Sequence, residues 1–563
     1  MLLRIGSLNG TQTKYQSQEF NTPQFKIQQS TNTCYIQKIP MQINVKLDIV
    51  CIIGGTHAGA MAAISLRNLD SNIRIQLFEK ESNVAFLNCG IHLGISKICS
   101  NMQNLFYNSQ ETLKNMGIEV FNNTLVEQIN FKQHELKTTN TQTKELNWFR
   151  YSKLIIASGS SPTIPQVIDG IDYSKSNVDQ IRQNLKRVFV CKSYEDALRI
   201  TSLPKPKKVL ILGAGHIGME LAWSFQSIGT RVTVLDRGDH MLGKYLDSEY
   251  VQILEEECKS HDVEMIMRAR VIKMAEVVFG VVVTVEKLVE DAIKTLQIVF
   301  DYVIVATGSK PNTEKFIQQS DKKLIHHNGS IAVNQKQQTS IQDVYAAGDC
   351  ATCYNGMLKK QEYIPLASNA VRQGIVAAHQ ILGHQLKSCG TNHSWGMQLF
   401  DYSIGSTGWS YEQAMHQNSQ VGRVVYSDFL WNKYCEKMVT KVVQKEELNS
   451  QFNILGDLVR KLADMVVESF DVQLEQSQDD LVSIILVFDQ ETQKILGCQV
   501  MGKQDITQIV NAASVAMQMG IKIQDLAYFD LGGFSGETKA WGILQMAAAS
   551  VNIEVPDFEE DEF

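Results

Sequence analysis

The 563-residue sequence predicts an α/β protein built on two Rossmann-like dinucleotide-binding units. Three observations carry that expectation. An apolar strand runs into a glycine turn and a helix pattern from Leu47 onward, the same series recurs from Lys208, and two later apolar strands each end in a small residue followed by glycine. The composition agrees, since 44% hydrophobic and 20% charged residues suit a globular chain with a large core.

The first series is the β-branched run Leu47–Ile53, then Gly54-Gly55-Thr56-His57-Ala58-Gly59, then a helix pattern over Met61–Leu69. Gly54 is needed for the backbone angles of the turn and Gly59 for close helix packing, so that the helix N-terminus can meet a pyrophosphate. Thr56 stands in the place of the middle glycine. A second strand, Ile73–Phe78, delivers Glu79 twenty residues after Gly59, where a carboxylate can accept hydrogen bonds from a ribose. In the second series, Val209–Leu212 leads into Gly213-Ala214-Gly215-His216-Ile217-Gly218, and Arg231–Leu235 ends in Asp236. An acid at the ribose position favours NADH, because a 2′-phosphate would be repelled; Arg237, next in the chain, argues the other way. One glycine turn is common loop punctuation, whereas two in strand-turn-helix-strand-acid order point to two nucleotides.

Tyr151–Ser160 and Asp301–Ser309 are the two later strands, contributing Ser158 and Gly159 in one case and Ala306, Thr307 and Gly308 in the other. Each resembles the strand that returns the chain to the flavin domain in two-dinucleotide flavoproteins. Ile341–Cys350 resembles the second FAD motif of those proteins, with Gly348 beside Asp349 as the ribityl ligand. An FAD domain formed by 46–165 and 300–384 is therefore expected to be split around an NAD domain at 200–299.

The segment Ser82–Gly94 reads SNVAFLNCGIHLG and places Cys89 on a stretch expected to start a helix over the flavin. Taken with Thr56–Gly59, it resembles the NADH oxidase, NADH peroxidase and coenzyme A-disulfide reductase group of the pyridine nucleotide-disulfide oxidoreductases, the oxidases most of all. Dithiol members carry a second cysteine five residues on. Here that position is Gly94, and Cys99 lies ten residues away. The resemblance implies that Cys89 cycles between thiolate and sulfenic acid or a mixed disulfide, with a helix N-terminus lowering its pKa. It also implies His57 as the general acid when peroxide oxygen leaves, since histidine titrates near neutrality; the alternative is a turn histidine bonded to backbone. Ala58, Lys80, Asn88, Leu366 and Ala367 join the expected cofactor contacts, and Glu220 is placed near the nicotinamide. His216 stands where many members have a tyrosine that swings over the flavin. Cys350-Ala-Thr-Cys353 has redox spacing but begins inside the FAD motif, and Cys51 lies in a strand as a buried apolar residue.

The resemblance continues through Tyr363–Gly374, Met397–Gly408 and Gly497–Ala527, which implies an α+β dimerisation domain over 385–556 and a homodimer. Two stretches depart from the family: an insertion near 435–478 with a helical pattern at Leu455–Val467, and Phe534–Trp541, where members show a Pro-Trp pair. The implied activity is transfer of hydride from NADH through FAD to O2, giving water by way of Cys89. Peroxide or coenzyme A-disulfide reduction is the alternative, and a flavoprotein redox sensor a more distant one.

Residues 1–45, rich in Gln, Asn, Thr and Ser, read as a flexible extension, and 557–563 as an acidic tail. A net charge of −7 with no basic block gives no reason to expect nucleic acid. No apolar run reaches the ~20 residues of a membrane span, and no metal site is expected. Eleven cysteines without a repeated spacing suit a reducing compartment. The cytoplasm is expected, with organellar targeting by the N-terminal extension as the alternative.

Overall fold

The computed structural model describes residues 49–173, 177–289, 292–314, 324–417, 420–429, 481–531 and 542–551. The N-terminal extension, the 435–478 insertion, Phe534–Trp541 and the acidic tail lie outside the described residues. Five of the described helices position the site and the C-terminal sheet: α1 (His57–Leu69), α2 (Ile91–Ile95), α3 (His216–Ser227), α4 (Ala367–Ile381) and α5 (Thr507–Gln518).

Val50–Ile53 is the central strand of a five-stranded parallel sheet. Its neighbours are Ile75–Phe78 and Lys153–Ile156, and Glu119–Phe121 and Val344–Ala346 form the edges. All four residues of the central strand are buried, the continuous apolar run that a sheet covered on both faces requires. Helix α1 presents the small residues Ala58, Gly59, Ala60, Ala62 and Ala63 to its surroundings, and α4 crosses it closely. A Cβ on Gly374 would lie 2.2 Å from the Ala58 carbonyl oxygen, so only glycine permits that approach.

A second parallel sheet repeats the plan in the order Glu264–Ile266, Arg231–Leu235, Lys208–Leu212, Tyr302–Val305, Val188–Val190. Here the expected limits of 200–299 are too narrow. Tyr302–Val305 does not return the chain to the first unit, as its resemblance implies. It is an inner strand of the second sheet, paired in register with Val209–Leu212, and Val188–Val190 is its outer neighbour. The return is made just afterwards by Ser309–Pro311, which pairs antiparallel with the outgoing Ser160–Pro162. Asn312 locks this double crossing, its carbonyl accepting from the Ser158 hydroxyl at 2.7 Å and its amide donating to the Ser158 carbonyl at 2.9 Å.

Among the described residues three larger antiparallel sheets accompany these, besides the two-stranded pair of Cys353–Asn355 with Lys360–Glu362. Thr124–Asn130, Glu135–Asn140 and Leu146–Arg150 form one meander, and Ala269–Val277, Gly280–Val289 and Ala292–Phe300 another. The third is a five-stranded sheet in the order Trp395–Leu399, Tyr402–Gly408, Ile495–Gly502, Leu481–Asp489, Val421–Phe429, with α5 against it. Buried Asp247 ties the second unit to this sheet. Its carboxylate accepts from the Gln499 amide at 2.7 Å and from the backbone N–H of Tyr411 at 3.0 Å, while its own N–H donates to Gln499 Oε1 at 3.0 Å.

Candidate active site at the junction of the two nucleotide units

The two glycine turns are built alike. Gly54 (φ +100°) follows the first central strand, and a Cβ there would stand 2.1 Å from the Ala157 carbonyl oxygen; Gly213 (φ +115°) follows the second, and a Cβ would stand 2.3 Å from that of Ala306. Both positions therefore require glycine for conformation and for space. Thr56 has φ −98°, so the middle position needs no glycine for its backbone. Its counterpart Gly215, where a Cβ would meet nothing within 4 Å, leaves room for a ligand instead. Neither Thr56 nor Gly215 caps its helix with a side chain, which leaves the N-terminal amides of α1 and α3 open to an anion.

The two acids are also positioned alike. Glu79, 6% exposed, accepts from the backbone N–H of Gly55 at 2.7 Å and of Glu81 at 3.0 Å. Asp236 accepts from Ala214 at 2.8 Å and Gly238 at 2.7 Å. Burial pushes the Glu79 carboxyl upward, opposed by those two amide bonds. Each carboxylate keeps lone pairs for a ribose hydroxyl. Lys80, half exposed, lies 3.6 Å from Glu81, and Ile217 is exposed on the first turn of α3. Gly159 and Gly308, both at positive φ, close the crossing strands in space that is open around a Cβ. The hydroxyl of Thr307 donates to the Thr163 carbonyl at 2.7 Å. Leu366 precedes α4, whose first residue is Ala367, without a side-chain cap.

Cys89 occupies a single 3₁₀ turn, Asn88–Gly90, ahead of the short α2. The expected lowering of its pKa is not found. Although the residue is exposed, surrounding protein desolvates the sulfur; that effect, followed by the Glu220 charge, raises the thiol, against a smaller opposite pull from Lys192. Five residues of helix are too little dipole to reverse this. Asp349 accepts from the Ser160 hydroxyl at 2.8 Å and pairs with Lys192 at 3.1 Å. The charges of that pair act on both Cys89 and His57. His57 is shifted downward: burial pushes it below its ordinary value, which favours the uncharged imidazole at neutral pH. Its Nε2 is buried without a hydrogen-bond partner, beside Tyr107 at 5.4 Å between ring centroids.

Helix α3 brings Glu220 to the same place, where burial raises its carboxyl to about 7. His92 links the groups, with Nδ1 2.8 Å from the Cys89 carbonyl oxygen and 3.7 Å from Glu220. His216 is enclosed by Tyr245 and Trp395, at 4.1 and 4.2 Å between centroids, and burial lowers it to about 4. Sequence reasoning does not single out Lys192, Ser160, His92, Tyr107, Tyr245 or Trp395. Only His92 has a local signal, three residues after Cys89; the others come from distant segments. Cys350 and Cys353 are both buried and Cys353 is raised to about 11, so the CxxC spacing places no reactive thiol at the surface. Cys51 is buried as expected. No disulfide joins the described cysteines, and no group of three or more metal-ligating side chains occurs among the described residues.

The residues present fit two dinucleotides: two open helix N-termini beside buried acids, glycines where a ligand must pass, and an orphaned His57 nitrogen. Such a fold and site define a flavin- and nicotinamide-dependent oxidoreductase. The chain belongs to the pyridine nucleotide-disulphide oxidoreductase family, whose model matches residues 48–374, with the family's dimerisation domain matching 463–529. An NADH oxidase of Enterococcus faecalis is 31% identical over 89% of this chain and 98% of its own. A NAD(P)H coenzyme A polysulfide/persulfide reductase of Pyrococcus horikoshii is 31% identical over 67% of this chain and 79% of its own. Among solved structures, a water-forming NADH oxidase from Lactobacillus brevis bound to NADH superposes with a TM-score of 0.74 at 26% identity, covering 90% of this chain and 98% of that one. The protein is thus an NAD(P)H-dependent oxidoreductase that uses FAD and NADH. No described helix is long and apolar enough to cross a membrane.

Proposed function

We propose that this protein is an NADH oxidase that reduces O2 to water with Cys89 as the oxygen-accepting thiol. The observation that carries the reading is the Lys192–Asp349 ion pair, whose charges act on Cys89 and His57 together at the junction of the two nucleotide units. FAD, when bound, would supply the chemistry that takes hydride from NADH and gives electrons to O2. Gly54, Thr56, Ala58, Gly59, Glu79, Lys80, Asn88, Ser158, Gly159, Gly348, Asp349, Leu366 and Ala367 form its cradle. Gly213, Gly215, His216, Ile217, Gly218, Glu220, Asp236, Ala306, Thr307 and Gly308 line the NADH side.

In the thiol step the Cys89 sulfur attacks a peroxide-level oxygen, the O–O bond breaks, and water leaves with sulfenic acid remaining on Cys89. His57, uncharged at neutral pH, takes the thiol proton and hands it to the departing oxygen. A second NADH supplies two electrons that restore the thiol and release a second water. The raised thiol makes this proton acceptor necessary, since little thiolate forms unaided.

The test is NADH-to-O2 stoichiometry on FAD-loaded protein with H2O2 assayed in the same vessel. Two NADH per O2 without peroxide supports the reading; H2O2 in stoichiometric yield refutes the thiol step. Reduction of coenzyme A disulfide or a persulfide at Cys89 is the second reading, favoured by the Pyrococcus horikoshii relative. Rapid turnover of those acceptors with negligible oxygen use would put it first. We also propose a homodimer formed through the C-terminal sheet, supported by the matched dimerisation domain and by Val515 and Met519, 62% and 65% exposed near the end of α5. Sedimentation should give twice the chain mass. A cytoplasmic setting completes the proposal.

A further inference from the structure

We propose that Arg182 is a positioning residue, acting through buried Asp196 to fix the turn that presents Lys192 to the reactive thiol. The inference deepens the reading of Cys89 as that thiol and rests on it.

Asp196 lies in the first turn of the helix Tyr194–Thr201, and its side chain is fully buried. It forms a capping box with Ser193: the Ser193 hydroxyl accepts from the Asp196 N–H at 3.2 Å, and the carboxylate accepts from the Ser193 N–H at 3.0 Å. A capping box needs no more than that. Here the same Oδ2 also takes the Lys192 N–H at 3.1 Å, so one carboxylate holds two successive amides of the turn. Arg182, from the helix Asn177–Asn184, closes on it as a fork, with Nε 2.9 Å from Oδ1 and Nη2 2.9 Å from Oδ2. Nη2 also reaches Ser193 Oγ at 3.0 Å, and Nη1 approaches Glu81 of the first nucleotide unit at 3.5 Å, which anchors the guanidinium on both units.

A buried ion pair adds little net stability, because the desolvation of two charges offsets their attraction, and apolar residues of similar volume often serve as well. What this pair supplies is direction. An unpaired Asp196 charge cannot stay in the interior; Arg182 keeps it there by two parallel hydrogen bonds, and the carboxylate in turn sets the 192–193 backbone. Lys192 leaves that backbone to pair with Asp349 at 3.1 Å. The titratable and charged groups around Cys89 come from separate elements: Glu220 of α3, Lys192 and Cys191 of this turn, Asp349 beyond the strand Val344–Ala346, and His92 of α2, whose Nδ1 is 2.8 Å from the Cys89 carbonyl oxygen. Lys192 opposes burial and the two carboxylates at the sulfur, so its placement bears directly on how readily the thiolate forms.

The test follows iodoacetamide labelling of Cys89 in the full-length, FAD-loaded protein across pH, read by mass spectrometry of the peptide that carries it. Paired replacement by apolar residues, Arg182→Met with Asp196→Leu, should leave the flavin spectrum in place. Labelling at about pH 7.5 should slow about threefold to tenfold and its profile should move to higher pH, the response to a withdrawn cation. Made on Lys192→Met, the same pair should change nothing further, since its effect passes through Lys192. Arg182→Lys, which keeps the charge without the fork, should fall between the parent and the paired variant. An unaltered labelling profile in the paired variant overturns the proposal, as does slowing of equal size in the Lys192→Met background. Should the paired variant fail to hold FAD, Arg182→Lys carries the comparison, and a profile identical to the parent's overturns the proposal there as well. If the oxygen-reducing role of Cys89 fails instead, H2O2 yield reveals it while the labelling still reports on Arg182.

Discussion

Cys89, Glu220 and His216 show how neighbours override a residue's intrinsic chemistry. Cys89→Ser should leave FAD bound and hydride transfer intact while the oxygen product shifts from water to H2O2, read as peroxide yield per NADH; loss of FAD would make the cysteine structural. Glu220 and His216 pull stability in opposite directions with pH. Burial raises Glu220 to about 7, so between its ordinary value and pH 7 the folded chain keeps a proton that the unfolded chain releases. Stability from this group falls as pH rises through that window. Glu220→Gln should stabilise the protein by about 1–3 kcal/mol above pH 7 and by little at pH 4.5, allowing for its partial exposure. His216, lowered to about 4, is the reverse case: the unfolded chain binds the extra proton, and stability is lost as pH falls from about 6.5 to 4. His216→Phe should flatten the acid limb of the melting temperature against pH. A variant as acid-sensitive as the parent would show that the Tyr245–Trp395 enclosure does not hold the ring neutral.

Each strand-turn-helix series can be broken separately. Ala157 donates to Ile53 and Ala306 donates to Leu212, both at 2.8 Å, so each crossing strand is clamped beside its own glycine turn. Gly213→Ala puts a methyl group into the Ala306 carbonyl and into a positive φ, at a cost of about 2–5 kcal/mol carried by the second unit. NADH affinity should fall while the flavin spectrum persists. Gly54→Ala should do the opposite and release FAD; equal loss of both ligands from either variant would mean that the two units do not respond independently. These turns are legible in the sequence because glycine at a forced φ is a local demand. The sheet that Tyr302 belongs to is illegible for the complementary reason: an apolar run ending in Thr-Gly shows that a strand exists, but its place is decided by pairing with Lys208–Leu212, about ninety residues earlier.

One apolar core runs through the three units, with Ile91, Leu221 and Ile404 among its members, and buried polar contacts join them as well, of which Asp247–Gln499 is one. Gln499→Leu keeps the volume but strips a donor from a carboxylate that is 1% exposed. A loss of about 1–3 kcal/mol is expected, measured by chemical denaturation. Replacing both residues with apolar ones of similar size should recover part of the loss, whereas a neutral single variant would show that water reaches Asp247. Trp395, which closes over His216, also comes from the C-terminal sheet, so the same packing reaches the nicotinamide side of the site.

The sequence by itself determined the two glycine turns, their acids, Cys89 and the order of the units, because each is a short-range pattern: φ forced on one residue, an apolar run of strand length, an acid at a set distance from a turn. Tertiary structure alone decided which charges surround Cys89. Lys192 lies 157 residues from Asp349, and their ion pair arises only where the two sheets meet. The desolvation that raises Cys89 and Glu220 and lowers His57 and His216 has the same origin, since burial belongs to the packed molecule and to no segment of it.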